Sequence, residues 1–138
     1  LEEEAGWMLR KPLTGAALTD SILGAAIEVH RELGPGFLEA IYEEALCIAL
    51  TDAGLRFERQ KSVDVLFRGQ VVGQHRLDLF VENQAVVELK AIKVLEDIHF
   101  ATVRSYMRSL QTEIGLLLNF SSMPLCIKRV APYPKGSL

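Results

Sequence analysis

Residues 77–91 read Leu77-Asp78-Leu79-Phe80-Val81-Glu82-Asn83-Gln84-Ala85-Val86-Val87-Glu88-Leu89-Lys90-Ala91. Two short apolar runs flank Glu82-Asn83-Gln84, the pattern of two strands joined by a turn. Charge interrupts both runs: Asp78 in the first, Glu88 and Lys90 in the second. Burying charge without partners is costly, so these three positions need an explanation. Side chains alternate along a strand, so Glu88 and Lys90 share one face while Val87, Leu89 and Ala91 take the other. Asp78 joins Glu88 in one register only, with Asp78 opposite Glu88, Phe80 opposite Val86 and Val81 opposite Ala85. That register leaves the three-residue loop Glu82-Asn83-Gln84. A two-residue Asn83-Gln84 turn would put Asp78 and Glu88 on opposite faces. Asn tolerates the left-handed backbone that a three-residue loop often needs.

Two carboxylates brought together repel when ionised and are natural oxygen ligands for Mg²⁺, which relieves the repulsion. A lysine two residues on can then hold a water or a phosphate oxygen. The same pattern also fits a half-buried salt bridge between Lys90 and one carboxylate, with the other solvated. Spacing alone leaves both readings open.

Working outward, residues 75–81 and 85–91 are the two strands of this hairpin. Residues 57–66 and 71–73, rich in Val and Phe around Arg68-Gly69-Gln70, read as two more strands joined by a turn. Before them, a helix is expected over residues 37–52, with Leu38, Ile41, Ala45, Leu46, Ile48 and Ala49 on a broad buried face and Gly54 as its stop. An earlier helix is expected from a cap at Thr19 or Asp20 to about Leu33. It carries Ile22, Leu23, Ala26, Ile27 and Val29 at helical spacing and ends before Gly34-Pro35-Gly36. Downstream, residues 95–111 are helical by period, with Ile98, Ala101, Val103, Tyr106, Met107 and Leu110 available to a core. Residues 115–120 form a continuous apolar run, as in a strand covered on both faces, and residues 125–130 form the last strand. This order predicts an α/β (α+β) fold, a mixed sheet with helices packed against it. The domain is expected over residues 19–131, with an N-terminal extension over 1–18 and a C-terminal tail over 132–138.

A chain of 138 residues with 49% apolar residues fills one hydrophobic core. Its net charge of −3 and pI near 5.6 speak against a protein that coats nucleic acid nonspecifically, but leave room for an enzyme with a local basic groove. Cys47 and Cys126 form no CxxC pair and are expected as reduced thiols in a cytoplasmic protein. No apolar run reaches the ~18 residues of a membrane span, and Glu2-Glu3-Glu4 reverses the charge of a secretory signal, so no membrane partner is expected. The histidines lack zinc-like spacing, and no GxxxxGK[ST], GxSxG or HExxH motif occurs.

Gly36-Phe37-Leu38-Glu39-Ala40-Ile41-Tyr42 carries a GxxExxY pattern. Together with Glu28-Val29-His30, Asp78-Leu79, Glu88-Leu89-Lys90-Ala91, Tyr106, residues 115–120 and Lys128-Arg129-Val130, it resembles the GxxExxY protein family of the PD-(D/E)xK nuclease superfamily over about residues 19–130. The resemblance implies a restriction-endonuclease-like core, a central mixed β-sheet flanked by helices. It places Asp78, Glu88 and Lys90 in the D…ExK positions, with Leu77 where the proline usually stands. It also implies Mg²⁺ or Mn²⁺ as cofactor, held by Asp78, Glu88, the Leu89 carbonyl and an early-helix acid, best matched by Glu39 and less well by Glu28. Glu39 at a helix start also fits a simple cap or dipole role. DNA or RNA is the implied substrate, with Tyr42, Thr102 and Tyr106 on the substrate side and a partner protein able to supply target choice. Helical spacing, not the resemblance, adds Arg104, which lies one turn from Arg108 and fits either a phosphate contact or a solvated outer face. Thr102 departs from the family, which has Gln there in a QxxxY pattern. A second reading therefore stays open, a catalytically silent nucleic-acid-binding or protein-interaction module that keeps the nuclease fold.

Overall fold

The apolar runs at residues 85–90 and 114–119 form the two most enclosed strands of a five-stranded sheet. The structure, a computed structural model, describes residues 13–137. In chain order these residues form α1 (Gly15–Leu33), α2 (Glu39–Asp52), β1 (Phe57–Phe67), β2 (Gln70–Val81), β3 (Ala85–Lys90), α3 (Asp97–Leu110), β4 (Ile114–Asn119) and β5 (Cys126–Val130). The strand order is β1-β2-β3-β4-β5, with β3 and β4 parallel and the other neighbours antiparallel. The α3 crossover makes the parallel pair possible.

Strand alternation divides the core into two layers. Leu79, Val81, Ala85, Val87, Leu89, Leu116 and Leu118 pack with α1 and α2, whereas Phe80, Val86 and Leu117 pack with Val103, Tyr106 and Met107 of α3. Covered on both sides, β3 and β4 have no polar face to spare, which is why their sequences are nearly continuous in apolar residues. The mixed sheet expected from the sequence is present, with helices on both faces.

Several local expectations need correction. The first helix begins at Gly15, four residues before the Thr19 cap signal, and both Leu18 and Thr19 are buried within it. Ala16, Ala17 and Leu18 are strong helix formers that extend the helix without a side-chain cap. Residues 1–12 of the expected N-terminal extension lie outside the described residues. On α2 the buried residues are Tyr42, Glu43, Leu46, Cys47 and Leu50, while Leu38, Ile41 and Ile48 are exposed. This helix is apolar on most sides, so its pattern does not fix a face, and the large Tyr42 ring settles it. Ile27 and Ile98 are likewise exposed. The strands expected at 71–73 and 75–81 are one strand, β2, because the outer part of the β1–β2 hairpin is solvated and needs no apolar alternation. At its tip Leu66, Phe67, Val71 and Val72 are all exposed.

At Gly115 the side chains of α3 pack directly against the β4 backbone. A Cβ there would lie 2.4 Å from Met107 Sδ and 3.0 Å from Val103 Cγ1, both on buried side chains. Gly115→Ala is expected to lower stability by about 1–3 kcal/mol through overpacking. Urea unfolding checks this: the midpoint should fall with the slope unchanged.

Candidate metal and nuclease site

The β2–β3 ladder runs Val81↔Ala85, Phe80↔Val86 and Leu79↔Val87, the register read from the sequence, and then stops. At the next step backbone pairing gives way to side chains. The Asp78 N–H donates to Glu88 Oε1 at 2.7 Å, and the Leu89 N–H donates to Asp78 Oδ2 at 2.9 Å. The two carboxylates therefore occupy the gap where the strands part. On the other side of β2 the ladder to β1 also skips Asp78, between Arg59↔Leu79 and Lys61↔Leu77. There Gln60 Nε2 lies 3.3 Å from Asp78 Oδ1.

Lys90, the last residue of β3, is fixed from behind. Its carbonyl accepts the Phe120 N–H at 2.8 Å. Just beyond it, the buried Asn119 amide clamps Ile92 through Asn119 Nδ2 to Ile92 O at 2.8 Å and Ile92 N to Asn119 Oδ1 at 3.1 Å. The ion pairs among the described residues, Arg59–Glu43, Arg59–Glu44 and Lys61–Glu58, leave Lys90 out. The structural salt bridge considered from the sequence is thus not formed within 4.0 Å.

Glu39 is the first residue and the one acidic residue of the first turn of α2, whose N-cap Leu38 supplies no side-chain cap. The Gly34-Pro35-Gly36 turn before it uses left-handed backbone at Gly34 (φ 70°) and φ 111° at Gly36, which glycine alone adopts readily. Tyr42 straps this turn down: its hydroxyl donates to Gly34 O at 2.5 Å and accepts the Phe37 N–H at 3.2 Å. The Tyr42 ring is fully buried and stacks on Phe120, centroids 4.6 Å apart.

The electrostatics join these residues into one cluster. Burial, then the neighbouring Asp78, pushes the Glu88 carboxyl up to about 8. The Asp78 carboxyl is raised chiefly by burial and then by Glu43, against the opposing Leu89 N–H, Gln60 amide and Lys90. Glu39 is raised by burial and by Asp78, with Lys90 opposing. Burial, followed by Glu88 and Asp78, pushes the Tyr106 hydroxyl up to about 12. Asp78, Glu88, Lys90, Glu39 and Tyr106 therefore share one field.

Other residues expected near substrate are engaged elsewhere. The Thr102 hydroxyl bonds back to Ile98 O at 2.8 Å within its own helix. Arg104 Nε donates to Ala131 O at 3.1 Å, and the guanidinium lies over the Tyr133 ring. The Tyr106 hydroxyl donates to Arg76 O at 3.0 Å. Glu28 lines a groove with Ala49 and Asp52, at the far end of α2 from Glu39. Two residues of the cluster carry no site role in the sequence reading, Glu43, which shares a helix face with Glu39 and Tyr42, and Gln60. Glu43 is buried and accepts from Arg59 Nε at 2.9 Å and from Gln60 Nε2 at 2.6 Å. Its helical spacing from Glu39 was a usable signal; nothing in the strand pattern distinguishes Gln60.

With this geometry in place, comparison with known proteins gives one match: the sequence model described as PD-(D/E)XK nuclease superfamily covers residues 16–130. The chain belongs to that superfamily. No curated protein and no solved structure matches it. Superfamily membership agrees with the mixed five-stranded sheet and implies a nucleic-acid substrate. No helix among the described residues is long and apolar enough to cross a membrane.

The pKa shift of Glu88 has a definite sign. The folded chain keeps, up to about pH 8, a proton that the unfolded chain releases near 4.5. The contribution of this group to stability is therefore full below pH 4.5 and is lost as pH rises toward 8. Between about pH 5 and about pH 7.5 the wild type should lose up to about 3 kcal/mol relative to Glu88→Gln. Urea unfolding of both proteins at the two pH values, without metal, measures the difference; equal losses would show that Glu88 is not the titrating group.

Proposed function

We propose that this nuclease-superfamily domain is a Mg²⁺- or Mn²⁺-dependent phosphodiesterase acting on DNA or RNA. The observation that carries the reading is the parting of β2 and β3 at Asp78 and Glu88, where carboxylates replace backbone pairing beside an unbridged Lys90. The donor chemistry fits a hard cation: the acidic groups offer oxygen only, and burial and mutual repulsion disfavour their ionised forms. Among the described residues no three His, Cys, Asp or Glu side chains already form a cage. Mg²⁺ commonly takes one or two carboxylates and keeps several waters, so an open set suits it.

In this reading Asp78 and Glu88 hold the cation, assisted by Glu39 and the Leu89 carbonyl. Bound there, the cation supplies Lewis-acid stabilisation of the charge that develops on the phosphate oxygens. Lys90 donates hydrogen bonds to the attacking water or to a phosphate oxygen and holds it in line. The Tyr106 hydroxyl, protonated at neutral pH as any tyrosine is, stays a donor and ties α3 to β2 at Arg76. On α3, Thr102 and Arg104 have their polar groups committed to Ile98 and Ala131.

Isothermal titration with Mg²⁺ and Mn²⁺ tests the centre: binding should occur in the wild type and vanish in Asp78→Ala. In cleavage of end-labelled single- and double-stranded DNA and RNA with Mn²⁺, Lys90→Ala should abolish activity. Thr102→Gln should raise it about tenfold if the longer amide recovers ~1.4 kcal/mol of transition-state positioning. Absence of both metal binding and cleavage would leave the silent nucleic-acid or protein-interaction module as the better reading.

A further inference from the structure

Among the described residues, five non-glycine positions have positive φ: Gln60, Arg68, Glu82, Asn83 and Gln111. Arg68, Glu82 and Asn83 lie in turns and Gln111 caps α3, where left-handed backbone is ordinary. Gln60, at φ 52°, lies inside β1. An extended strand has no use for that conformation, and it persists only where surrounding contacts hold it in place.

The distortion delivers an amide to the carboxylates. Gln60 Nε2 lies 2.6 Å from Glu43 Oε1 and 3.3 Å from Asp78 Oδ1, so one NH₂ group with two protons spans two acidic side chains. Glu43 cannot readily move, since it is buried and also accepts from Arg59 Nε, while Arg59 Nη2 is paired with Glu44 at 2.7 Å. Asp78 is held between this braced amide and the Leu89 N–H, one on each carboxylate oxygen. Each oxygen keeps a lone pair for a further partner. The strand thus supplies a side-chain amide that α3, which contains no Asn or Gln, does not.

We infer that Gln60 is a positioning residue of the candidate metal site, its Glu43-braced amide fixing the orientation in which Asp78 meets a divalent cation. The inference rests on the metal-dependent reading proposed above. A purely structural role, tying α2 to the sheet, makes a different prediction, and two variants separate the roles. Gln60→Gly removes the amide and relieves the left-handed backbone. Gln60→Asn tolerates that backbone but is one methylene too short to span both carboxylates.

The experiment is a thermal-shift titration with Mn²⁺ alone on wild type, Gln60→Gly, Gln60→Asn and Asp78→Ala. Without metal, Gln60→Gly should melt at or above the wild-type temperature and Gln60→Asn close to it. With Mn²⁺, both should need at least about tenfold more metal for half the stabilisation, the usual effect of losing a partner that orients a ligand. Asp78→Ala should show none. A wild-type Mn²⁺ midpoint in both Gln60 variants would overturn the inference while leaving the metal site standing. A wild type that Mn²⁺ does not stabilise would remove the metal site and the inference together.

Discussion

The donation of the Leu89 N–H to a carboxylate, where a strand carbonyl would ordinarily stand, is the interaction on which the rest of the site depends. A backbone N–H in the middle of a sheet must have a partner, because leaving it bare when buried costs about 1–3 kcal/mol. Here the partner is Asp78, and the reciprocal bond from the Asp78 N–H goes to Glu88. The sheet can therefore part locally without orphaning donors, and the charged groups earn their place in an apolar region by satisfying them. The same bonds resist the upward drift of both carboxyls that burial imposes.

The hairpin register was legible through its charges rather than its apolar residues. Phe80, Val81, Val86 and Val87 are buried on both faces, and only the pairing of Asp78 with Glu88 separates the three-residue loop from a two-residue turn. The two-sided burial of β4 was legible because its sequence has no polar alternation. The buried face of α2 was not. Ile41, Ile48 and Leu38 compete with Tyr42, Leu46 and Leu50 on equal hydrophobic terms, and the stacking of Tyr42 on Phe120 decides between them through a contact across most of the chain. Gln60 was illegible for a different reason. Its role follows from a backbone angle that glutamine does not favour, and a residue in a disfavoured conformation leaves no mark in propensity.

Tyr42 shows how a motif residue can serve a site without lining it. Expected on the substrate side, it instead secures the Gly34-Pro35-Gly36 turn and seats the first residue of α2, Glu39, in the field of Asp78 and Lys90. The spacing between Glu39 and Tyr42 is the helical spacing that lets one side chain face the cluster while the other anchors the turn. Arg104, also expected near substrate, holds the C-terminal segment against α3 through Ala131 and Tyr133.

The outer β1–β2 hairpin divides the molecule in a further way. Val63 packs under α3, and the His75 ring meets Tyr106 edge-on, whereas residues 64–74 are exposed apart from Val65. A two-stranded ribbon is marginal in water by itself, so this segment borrows its order from its root. Amides there should open in sub-global fluctuations that the β3–β4 centre reaches only on complete unfolding. Gln60 and Asp78 lie just inside that seam, so the candidate site straddles a cooperative boundary, with Glu88 and Lys90 on the strand that opens last.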